Sequence, residues 1–379
     1  YRRTNSPYFC SGLESLQIVS MFAFLLVLVG CRMTYWLFLF VRLALYRQGT
    51  ADTKVKLPIS LVVAVKNNTE GIQQLVEKIQ KQNYENWEMV IVSDGEDEAL
   101  KAFIERCSNP QIRLLYSDGQ GKKQAIAQGV EAAINDWVLV TDSDCLPASL
   151  KYFDTMASSL KSPKSQIVLG YAPLRAKNSI ISKLASYEAS YIAMQYLSYA
   201  LAGIPYMGVG RNMLFNRVLY LKNRQTLLDN DLLSGDDDMF VQAAANAGNT
   251  TIFIHPYTHC TSDAPKNLNT WFRQRQRQNT TASYYRLPHK ILLGLFAALH
   301  LGVYFTMVLG LMMGQLSLTQ IAAIWLMMIG LMSALQYPIF RKLNASGNLL
   351  LTPLADVFLA GFYTALAFKL NSQKKYPWK

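Results

Sequence analysis

The chain has 379 residues, of which 51% are hydrophobic and 16% are charged, a balance typical of a membrane protein rather than a soluble domain. Its net charge of +12 lies mainly outside residues 51–290, which hold 26 basic and 23 acidic side chains, whereas the flanks hold 11 and 2. Because this excess lies beside apolar runs and forms no basic stripe, it predicts contact with anionic membrane lipids and no nucleic-acid partner.

Residues 1–50 are predicted to form an N-terminal region with one transmembrane helix. The apolar run 18–40 is broken only by Arg32 and reaches the length of about 20 residues that a membrane span needs. It is too long for the core of a cleaved signal peptide. The basic residues after it predict that the next domain faces the cytoplasm, in a multi-pass protein integral to the inner membrane.

Residues 51–265 are predicted to form a cytosolic α/β domain. Short apolar runs predict strands, and helical periodicity predicts helices between them. The strands are 59–65, 89–92, 112–116 and 137–141, and the helices are 72–82, 99–106 and 122–134. This alternation is typical of a doubly wound, mostly parallel sheet, which binds ligands beyond the carboxyl ends of its strands.

Residues 266–290 are predicted to form an amphipathic interfacial segment, and residues 291–379 to hold two to three further transmembrane helices. The apolar runs there are 291–313, 321–340 and 349–370. Arg341 and Lys342 indicate a cytoplasmic loop before the last run. Each run is long enough to span, but Pro353 and Asp356 interrupt the last one, so the alternatives for it are re-entry into the membrane or packing inside the bundle.

The sequence "VLVTDSDCLP" ends a predicted strand with two carboxylates, Asp142 and Asp144. Two carboxylates at one sheet edge repel each other unless a cation joins them. Their oxygens suit Mg²⁺ or Mn²⁺, usually shared with phosphate groups. The alternative for this motif alone is a solvated acidic turn.

Other polar motifs follow the same sheet edge. In "VIVSDG", Asp94 ends a strand, and in "GQGKKQAIAQG" glycines lead into a helix that begins at Lys122, where a helix N-terminus and a lysine suit a pyrophosphate. "SGDDDMF" places three acids in a first helical turn, where one of them could have a raised pKa and act as a base. For Asp94 the alternative is a common Asp-Gly turn, and for Lys122 it is a simple helix cap with a solvated lysine. For the three acids it is a favourable interaction with the helix dipole.

The basic segment "WFRQRQRQ" places Gln274 and Arg277 three residues apart on one helix face. These two side chains can therefore converge on a site. The alternative is a basic helix that lies on the membrane surface.

The order and spacing of these motifs over residues 57–290 resemble a membrane-bound family-2 glycosyltransferase with the GT-A fold. The resemblance implies that Asn67, Asp94 and Lys122 bind the nucleotide-sugar donor. "TDSDC" corresponds to the D-x-D motif, which implies that Asp142 and Asp144 hold a divalent metal, Mg²⁺ or Mn²⁺, and that Asp142 also contacts the donor.

The same resemblance extends to three later motifs. "GVGRNMLF" looks like the segment that binds the acceptor, through Gly210, Arg211 and Asn212. "GDDD" matches the acidic motif that supplies the catalytic base, which implies Asp237, with Asp236 beside it as a second catalytic acid. "QRQR" matches Q-x-x-R-W and implies that Gln274 and Arg277 contact the donor. The sequence departs from the family pattern at Asn68, Ser93, Ala127 and Gln278, the last of which replaces the tryptophan.

The resemblance implies an inverting glycosyltransferase that moves a sugar from a nucleotide-sugar donor, with a UDP-sugar favoured, to a lipid-linked or glycan acceptor. Such a reaction would serve the synthesis of cell-envelope glycolipid or polysaccharide. Two alternatives remain open. One is a processive polysaccharide synthase, which the absence of tryptophan at Gln278 opposes. The other is a non-catalytic membrane scaffold that retains the fold, which the departures support and the retained acids oppose.

Overall fold

The computed structural model describes residues 8–48, 56–118, 121–160, 165–229, 232 and 235–370, with side chains between 21 and 369. The described strands are β1 Ile59–Val65, β2 Trp87–Asp94, β3 Ile112–Ser117, β4 Trp137–Asp142, β5 Leu146–Pro147, β6 Ile167–Leu169, β7 Leu174–Arg175, β8 Met213–Asn216, β9 Thr250–Ile252 and β10 Cys260–Asp263. The described α-helices are α1 Tyr8–Leu45, α2 Thr69–Gln80, α3 Glu98–Cys107, α4 Lys122–Ala132, α5 Tyr152–Ala157, α6 Ile180–Leu201, α7 Arg217–Leu228, α8 Asp236–Ala244, α9 Leu268–Asn279, α10 Leu287–Met312, α11 Leu318–Lys342 and α12 Thr352–Leu370. Three short 3₁₀ helices are Pro256–Thr258, Thr280–Tyr284 and Ser346–Leu351.

A seven-stranded sheet with the strand order β3-β2-β1-β4-β8-β6-β9 forms the centre of the α/β domain. All residues of β1 are buried, and β1 pairs in parallel with both β2 and β4. A strand buried on both faces needs a continuous apolar run, which "ISLVVAV" supplies. The predicted doubly wound, mostly parallel sheet is therefore confirmed.

The helices that cover this sheet follow from local sequence. In α2, Ile72, Leu75, Val76 and Ile79 are buried at helical spacing. The helix begins earlier than predicted because the Asn68 side chain accepts a hydrogen bond from the Gly71 amide and caps the N-terminus. This cap places the start of α2 beside the carboxyl end of β1.

Two parts of the sheet were not predicted. Strand β8 is antiparallel to both β4 and β6, and a separate three-stranded sheet has the order β5-β10-β7. These strands have two to four residues each, too few for an apolar periodicity to reveal. They place the chain segments around residues 210 and 260 beside the carboxyl end of β4.

Within the residues that the structure describes, four helices are long and apolar enough to cross a membrane: Met21–Leu45, Leu287–Met312, Leu318–Lys342 and Ser346–Lys369. The last of these packs within the bundle, since its buried Asp356 carboxylate accepts a hydrogen bond from the buried Arg32 guanidinium of α1 at 2.6 Å. Pro353 lies at the start of α12, where a proline is tolerated.

The bundle and the sheet domain are in direct contact. Near the end of α1, the Tyr46 hydroxyl donates to the Ile252 carbonyl at 3.2 Å, and the Gln48 side chain accepts from the Ile254 amide at 3.0 Å. Helix α6 is almost entirely buried and packs against α1. The end of α1 thus lies against strand β9 and the residues that follow it.

Candidate active site

The carboxyl ends of β2, β1 and β4 are neighbours and gather the predicted site residues. Ala64 pairs with Asp142, and Val65 pairs with Ser93, so the residues that follow each strand meet at one edge. Asn67 lies in the exposed loop after β1 with a φ of 51°, a left-handed conformation that asparagine tolerates better than most residues. The prediction that these strand ends share a sheet edge is confirmed.

Asp94 is a buried residue that accepts three hydrogen bonds at this sheet edge. Its carboxylate accepts hydrogen bonds from Lys66 Nζ at 2.8 Å, Ser117 Oγ at 3.0 Å and the Gly121 amide at 3.1 Å. Burial raises its pKa, but these donors outweigh burial, so the pKa of Asp94 lies below its ordinary value. Asp94 therefore carries a negative charge and ties β2 to the start of α4.

Lys122 is the first residue of α4 and reaches the end of β4. Its Nζ atom forms an ion pair with Asp142 Oδ1 at 2.5 Å. Burial lowers the pKa of Lys122, but Asp142, Asp236 and Asp237 together raise it above its ordinary value. The lysine is therefore a permanent cation surrounded by carboxylates, next to a helix N-terminus that favours anions.

Asp142, Asp144 and Cys145 place one possible ligand atom each within 4.8 Å of one another. Burial raises the pKa of the Cys145 thiol well above its ordinary value, which keeps the sulfur protonated and unsuited to bind a metal. Desolvation and the charge of Asp142 also raise the pKa of Asp144. Two oxygen ligands that repel each other fit a hard divalent cation, so the residues present suit Mg²⁺ or Mn²⁺.

Ser143, between these two aspartates, is held by Asn68, which lies after β1 and caps α2. The side chain of Asn68 donates through Nδ2 to Ser143 Oγ at 2.9 Å, while its Oδ1 caps α2. Asn68 stands where the resemblance would place an acid, and here an amide serves because it donates as well as accepts.

The first turn of α8 brings Asp237 to the segment around Gly210. Asp237 Oδ2 accepts from the Gly210 amide at 2.6 Å, and its Oδ1 accepts from the Asp238 amide at 3.0 Å. A Cβ atom at Gly210 would lie 3.1 Å from Asp237 Oδ2, so glycine permits this approach. Asp237 is partly exposed and is the member of the acidic turn that remains open to the cleft.

The two acids beside Asp237 are buried and differ in their partners. Burial raises the pKa of Asp236 to about 6, with Lys122 opposing and Asp237 adding to the shift, and the Asp236 Oδ1 atom has no hydrogen-bond partner. Burial and Asp237 raise the pKa of Asp238 well above its ordinary value, although Tyr285 and Thr281 donate to it at 2.6 and 2.8 Å. The expectation that one of three adjacent acids has a raised pKa therefore agrees with these environments.

Arg211 and Asn212 follow Gly210 but lie in different surroundings. The Arg211 guanidinium donates to Ser262 Oγ at 2.9 Å and lowers the pKa of Asp144, which places it on the side of the D-x-D acids. Asn212 is fully buried. Its amide donates to two backbone carbonyls and accepts from the Tyr152 hydroxyl, so these contacts support the Gly210 segment from inside the protein. A direct contact of Asn212 with the acceptor is not supported by this geometry.

Gln274 and Arg277 lie on α9, where both side chains are partly buried. Their contact with a donor remains a prediction.

Sequence reasoning missed Lys66, which neutralises Asp94, and Glu188, a buried carboxylate on α6 that forms an ion pair with Arg275 at 2.6 Å. Lys66 follows β1 directly and could have been found by its position, whereas a single glutamate in an apolar helix gives no signal.

Comparison with known proteins agrees with this geometry. The sequence model of the family described as "Glycosyltransferase like family 2" matches residues 57–281. Poly-beta-1,6-N-acetyl-D-glucosamine synthases of Staphylococcus aureus and Staphylococcus epidermidis are 25% and 26% identical over 222 residues, which are 58% of this chain and 53% of those proteins. The chain thus matches about half the length of these relatives.

Among solved structures, a mannosyltransferase from Pyrobaculum calidifontis in complex with GDP-Man and Mn²⁺ aligns with a TM-score of 0.57 and 18% identity. The alignment covers 90% of this chain and 99% of that one. This likeness confirms the GT-A type of fold.

Proposed function

The chain belongs to glycosyltransferase family 2, and from that premise we propose that it is a membrane-bound inverting glycosyltransferase. It moves a sugar from a nucleotide-sugar donor to a lipid-linked or glycan acceptor in cell-envelope glycolipid or polysaccharide synthesis. The observation that carries the proposal is the gathering of Lys122, Asp142, Asp237 and the Gly210 segment at one edge of the sheet.

The donor diphosphate is proposed to bind beside Lys122 and the D-x-D acids. Asp142 and Asp144 would hold a divalent ion, Mg²⁺ or Mn²⁺, which supplies Lewis-acid stabilisation of the leaving nucleoside diphosphate. The Lys122 ammonium lies among the carboxylates and near the N-terminus of α4, so it adds a fixed positive charge for the phosphates. Asn67 and Asp94 lie at the ends of β1 and β2, where the nucleoside would extend. A UDP-sugar is the favoured donor.

Asp237 is proposed as the general base. It removes the proton of the acceptor hydroxyl while that oxygen attacks the anomeric carbon from the face opposite the leaving group. One carbon–oxygen bond forms, the bond to the diphosphate breaks, and the electron pair leaves with the nucleoside diphosphate. The support is the partial exposure of Asp237 and its fixed orientation, since Gly210 and Asp238 amides each donate to one of its oxygens.

The remaining predicted residues are proposed to shape the cleft around this base. Gly210 would line the acceptor side, while Arg211 also lies near the D-x-D acids. Asn212 would act from inside, through its buried hydrogen bonds. Gln274 and Arg277 would close the donor side from α9, and Asp236 would tune the charge around Asp237.

The membrane arrangement is also part of the proposal, with an N-terminal span in residues 1–50, a cytosolic domain in 51–265, an interfacial segment in 266–290 and C-terminal spans in 291–379. Lys342 Nζ at the end of α11 donates to the Leu43 carbonyl at the end of α1. The basic ends of both helices therefore lie on the side of the sheet domain, which supports a cytoplasmic position for that domain in the inner membrane.

A processive polysaccharide synthase is the second candidate, favoured by the similarity to the staphylococcal poly-beta-1,6-N-acetyl-D-glucosamine synthases. Gln278 replaces the tryptophan expected there and accepts a hydrogen bond from Arg275 at 2.5 Å, so it offers no aromatic surface for a growing sugar chain. A non-catalytic scaffold is disfavoured, because it would have no need for the unpaired buried oxygen of Asp236.

The test is a donor screen on the detergent-purified protein with Mn²⁺ or Mg²⁺ and a panel of UDP-, GDP- and dTDP-sugars, with and without membrane lipid extract. Nucleoside diphosphate release is followed. Release from one donor that is abolished by EDTA and raised by lipid supports single transfer to a lipid acceptor, and a ladder of products would favour processive synthesis. No release from any donor by a folded protein would contradict the proposal.

A further inference from the structure

Glu188 is a fully buried carboxylate in the middle of α6, a helix made mostly of apolar, small and aromatic residues. It lies outside every motif that points to the reaction. A buried carboxylate is costly unless charged and polar partners surround it. The role of Glu188 can therefore be inferred from its hydrogen-bond and ion-pair partners.

Three side chains from two other helices donate to Glu188. Its Oε2 atom accepts from Trp271 Nε1 at 2.7 Å and from Arg275 Nε at 2.7 Å, and Arg275 Nη2 lies 2.6 Å from the same oxygen. Its Oε1 atom accepts from the Tyr363 hydroxyl of α12. One carboxylate thus joins α6, the α9 helix that carries Gln274 and Arg277, and the last membrane-spanning helix.

The hydrogen bonds of α9 with this junction all come from one face of the helix, while Phe272, on the adjacent face, adds an edge contact with Phe362. Trp271, Arg275 and Gln278 share that face at i, i+4 and i+7, and Arg275 also donates to Gln278. The Trp271 ring stacks on Phe358 and Phe362 of α12, with centroids 5.6 and 4.5 Å apart. The rotation of α9 about its axis is therefore set by this face.

Gln274 and Arg277 are displaced from Trp271 by roughly 60° and 120° around the helix, both in the same direction. A change in the rotation of α9 moves both side chains together. Their direction in the cleft thus depends on the contacts of Trp271 and Arg275 with Glu188.

The chain just after α9 is fixed to the acidic turn. Thr281 and Tyr285 donate to Asp238 Oδ2 at 2.8 and 2.6 Å, and Asp238 follows Asp237 directly. The contact is close, since a Cβ atom at Gly235 would lie 2.2 Å from Thr281 Cγ2. Helix α9 is therefore held by Glu188 and the last span, and the chain beyond its C-terminus is held by Asp238, the neighbour of the proposed base.

We propose that Glu188 is a positioning residue for the transfer reaction. Through Arg275 and Trp271 it fixes α9 against the membrane bundle, so that Gln274 and Arg277 meet the donor while Asp237 meets the acceptor. The inference rests on the proposed function of this site. It adds that a buried charge on α6 holds the donor-binding helix against the membrane bundle.

The test compares Glu188→Gln with the matched control Tyr363→Phe in the full-length protein. Glutamine keeps the shape and one acceptor oxygen but removes the charge that Arg275 needs, whereas the tyrosine change removes one neutral donor and leaves the ion pair. The expected result for Glu188→Gln is a loss of about 10- to 100-fold in kcat/KM, mainly through a higher KM for the donor, because a small displacement of a binding group costs that much. The control is expected to change kcat/KM less than about 3-fold.

A double-mutant cycle separates positioning from general stability. If Glu188 acts through α9, then Glu188→Gln combined with Arg277→Lys loses less than the product of the two single losses. The inference would be overturned if the losses of the two single variants multiply in the double variant and Glu188→Gln lowers the melting temperature as much as its control does.

Two further measurements keep the outcome decisive. If Glu188→Gln does not fold, Arg275→Lys keeps the charge pair while removing the planar fork, and it is expected to raise the donor KM in the same way. Unchanged donor KM in a folded Arg275→Lys protein would overturn the inference. An inactive wild-type protein would instead contradict the proposed function, whereas an active wild type with an unaltered Glu188→Gln variant would contradict only the role of Glu188.

Discussion

The buried carboxylates of the membrane bundle and those of the sheet edge differ in how fully they are paired. In the membrane bundle, Asp356 has both oxygens paired, with Arg32 at 2.6 Å and the Tyr304 hydroxyl at 2.6 Å. At the sheet edge, four carboxylates, those of Asp142, Asp144, Asp236 and Asp237, share Lys122 and Arg211, and one buried oxygen each of Asp236 and Asp238 has no partner. A site with surplus negative charge and unpaired oxygens is prepared for a cation and a substrate, whereas a paired site is already complete.

The largest effect is expected at the sheet edge, where Asp237→Asn removes the proposed base. Turnover should fall by about 10² to 10⁴-fold, because an amide cannot accept the acceptor proton. Nucleoside diphosphate release measures the loss, and calorimetric binding of the nucleotide serves as the control, since the amide keeps the shape that Gly210 contacts. Near-normal turnover would show that Asp237 is not the base.

Asp142→Ala and Asp144→Ala should each abolish the dependence of activity on the divalent ion. Loss of one oxygen ligand weakens metal binding, and Lys122 alone cannot neutralise the leaving diphosphate. The expected loss in kcat is about 10²-fold or more. Titrations with Mn²⁺ measure it, and an unchanged Mn²⁺ requirement in both variants would rule out these residues as metal ligands.

In the bundle, breaking the buried pair should affect stability rather than chemistry. Asp356→Asn leaves the Arg32 guanidinium without a counter-charge, at a cost of about 3 to 5 kcal/mol in the free energy of unfolding. Replacing both residues, Arg32→Met with Asp356→Leu, should recover most of that loss because no buried charge remains. Unfolding in detergent measures both variants, and equal destabilisation of the two would argue against a paired-charge explanation.

The smallest effect concerns the pH dependence of Asp236. Its pKa of about 6 in the folded protein lies above its ordinary value of 3.8, so the folded state holds a proton between these values that the unfolded chain has released. Stability due to this group therefore falls as pH rises through about 6. Asp236→Asn should stabilise the metal-free protein by about 1 to 3 kcal/mol near pH 7.5 and by nothing near pH 4.

Denaturant unfolding in EDTA at both pH values tests this difference, with Glu105→Gln, at an exposed position of α3, as the control. A stabilisation that is the same at both pH values would mean that the buried charge of Asp236 is not its source.

The sequence predicted those features that rest on continuous patterns. Strand β1 was predicted at its observed bounds, and β2, β3, β4 and α4 within about three residues at each end, because apolar runs and a glycine before a lysine mark them directly. The antiparallel β8 and the small second sheet have strands too short to leave a period, and their pairing depends on distant partners.

The site was predictable to the extent that its residues follow strand ends. Asp142 was predicted from its place at the end of a strand and Lys122 from its place at the start of a helix, whereas Asp237 was singled out by the resemblance of "GDDD" to the acidic motif of the family. The buried role of Asn212 and the junction at Glu188 were not, because each depends on hydrogen-bond partners from segments more than forty residues away that only the fold brings close. Long-range polar contacts leave no local pattern in a single sequence.

The most direct measurement follows the transferred sugar itself. Wild-type protein is supplied with the donor that the screen identifies, and nucleoside diphosphate release is compared with the amount and anomeric configuration of the product by NMR. The account predicts one nucleoside diphosphate for each sugar transferred, with inverted configuration, because a single base drives one displacement. Retained configuration, or release without any transferred sugar in the presence of acceptor lipid, would contradict it.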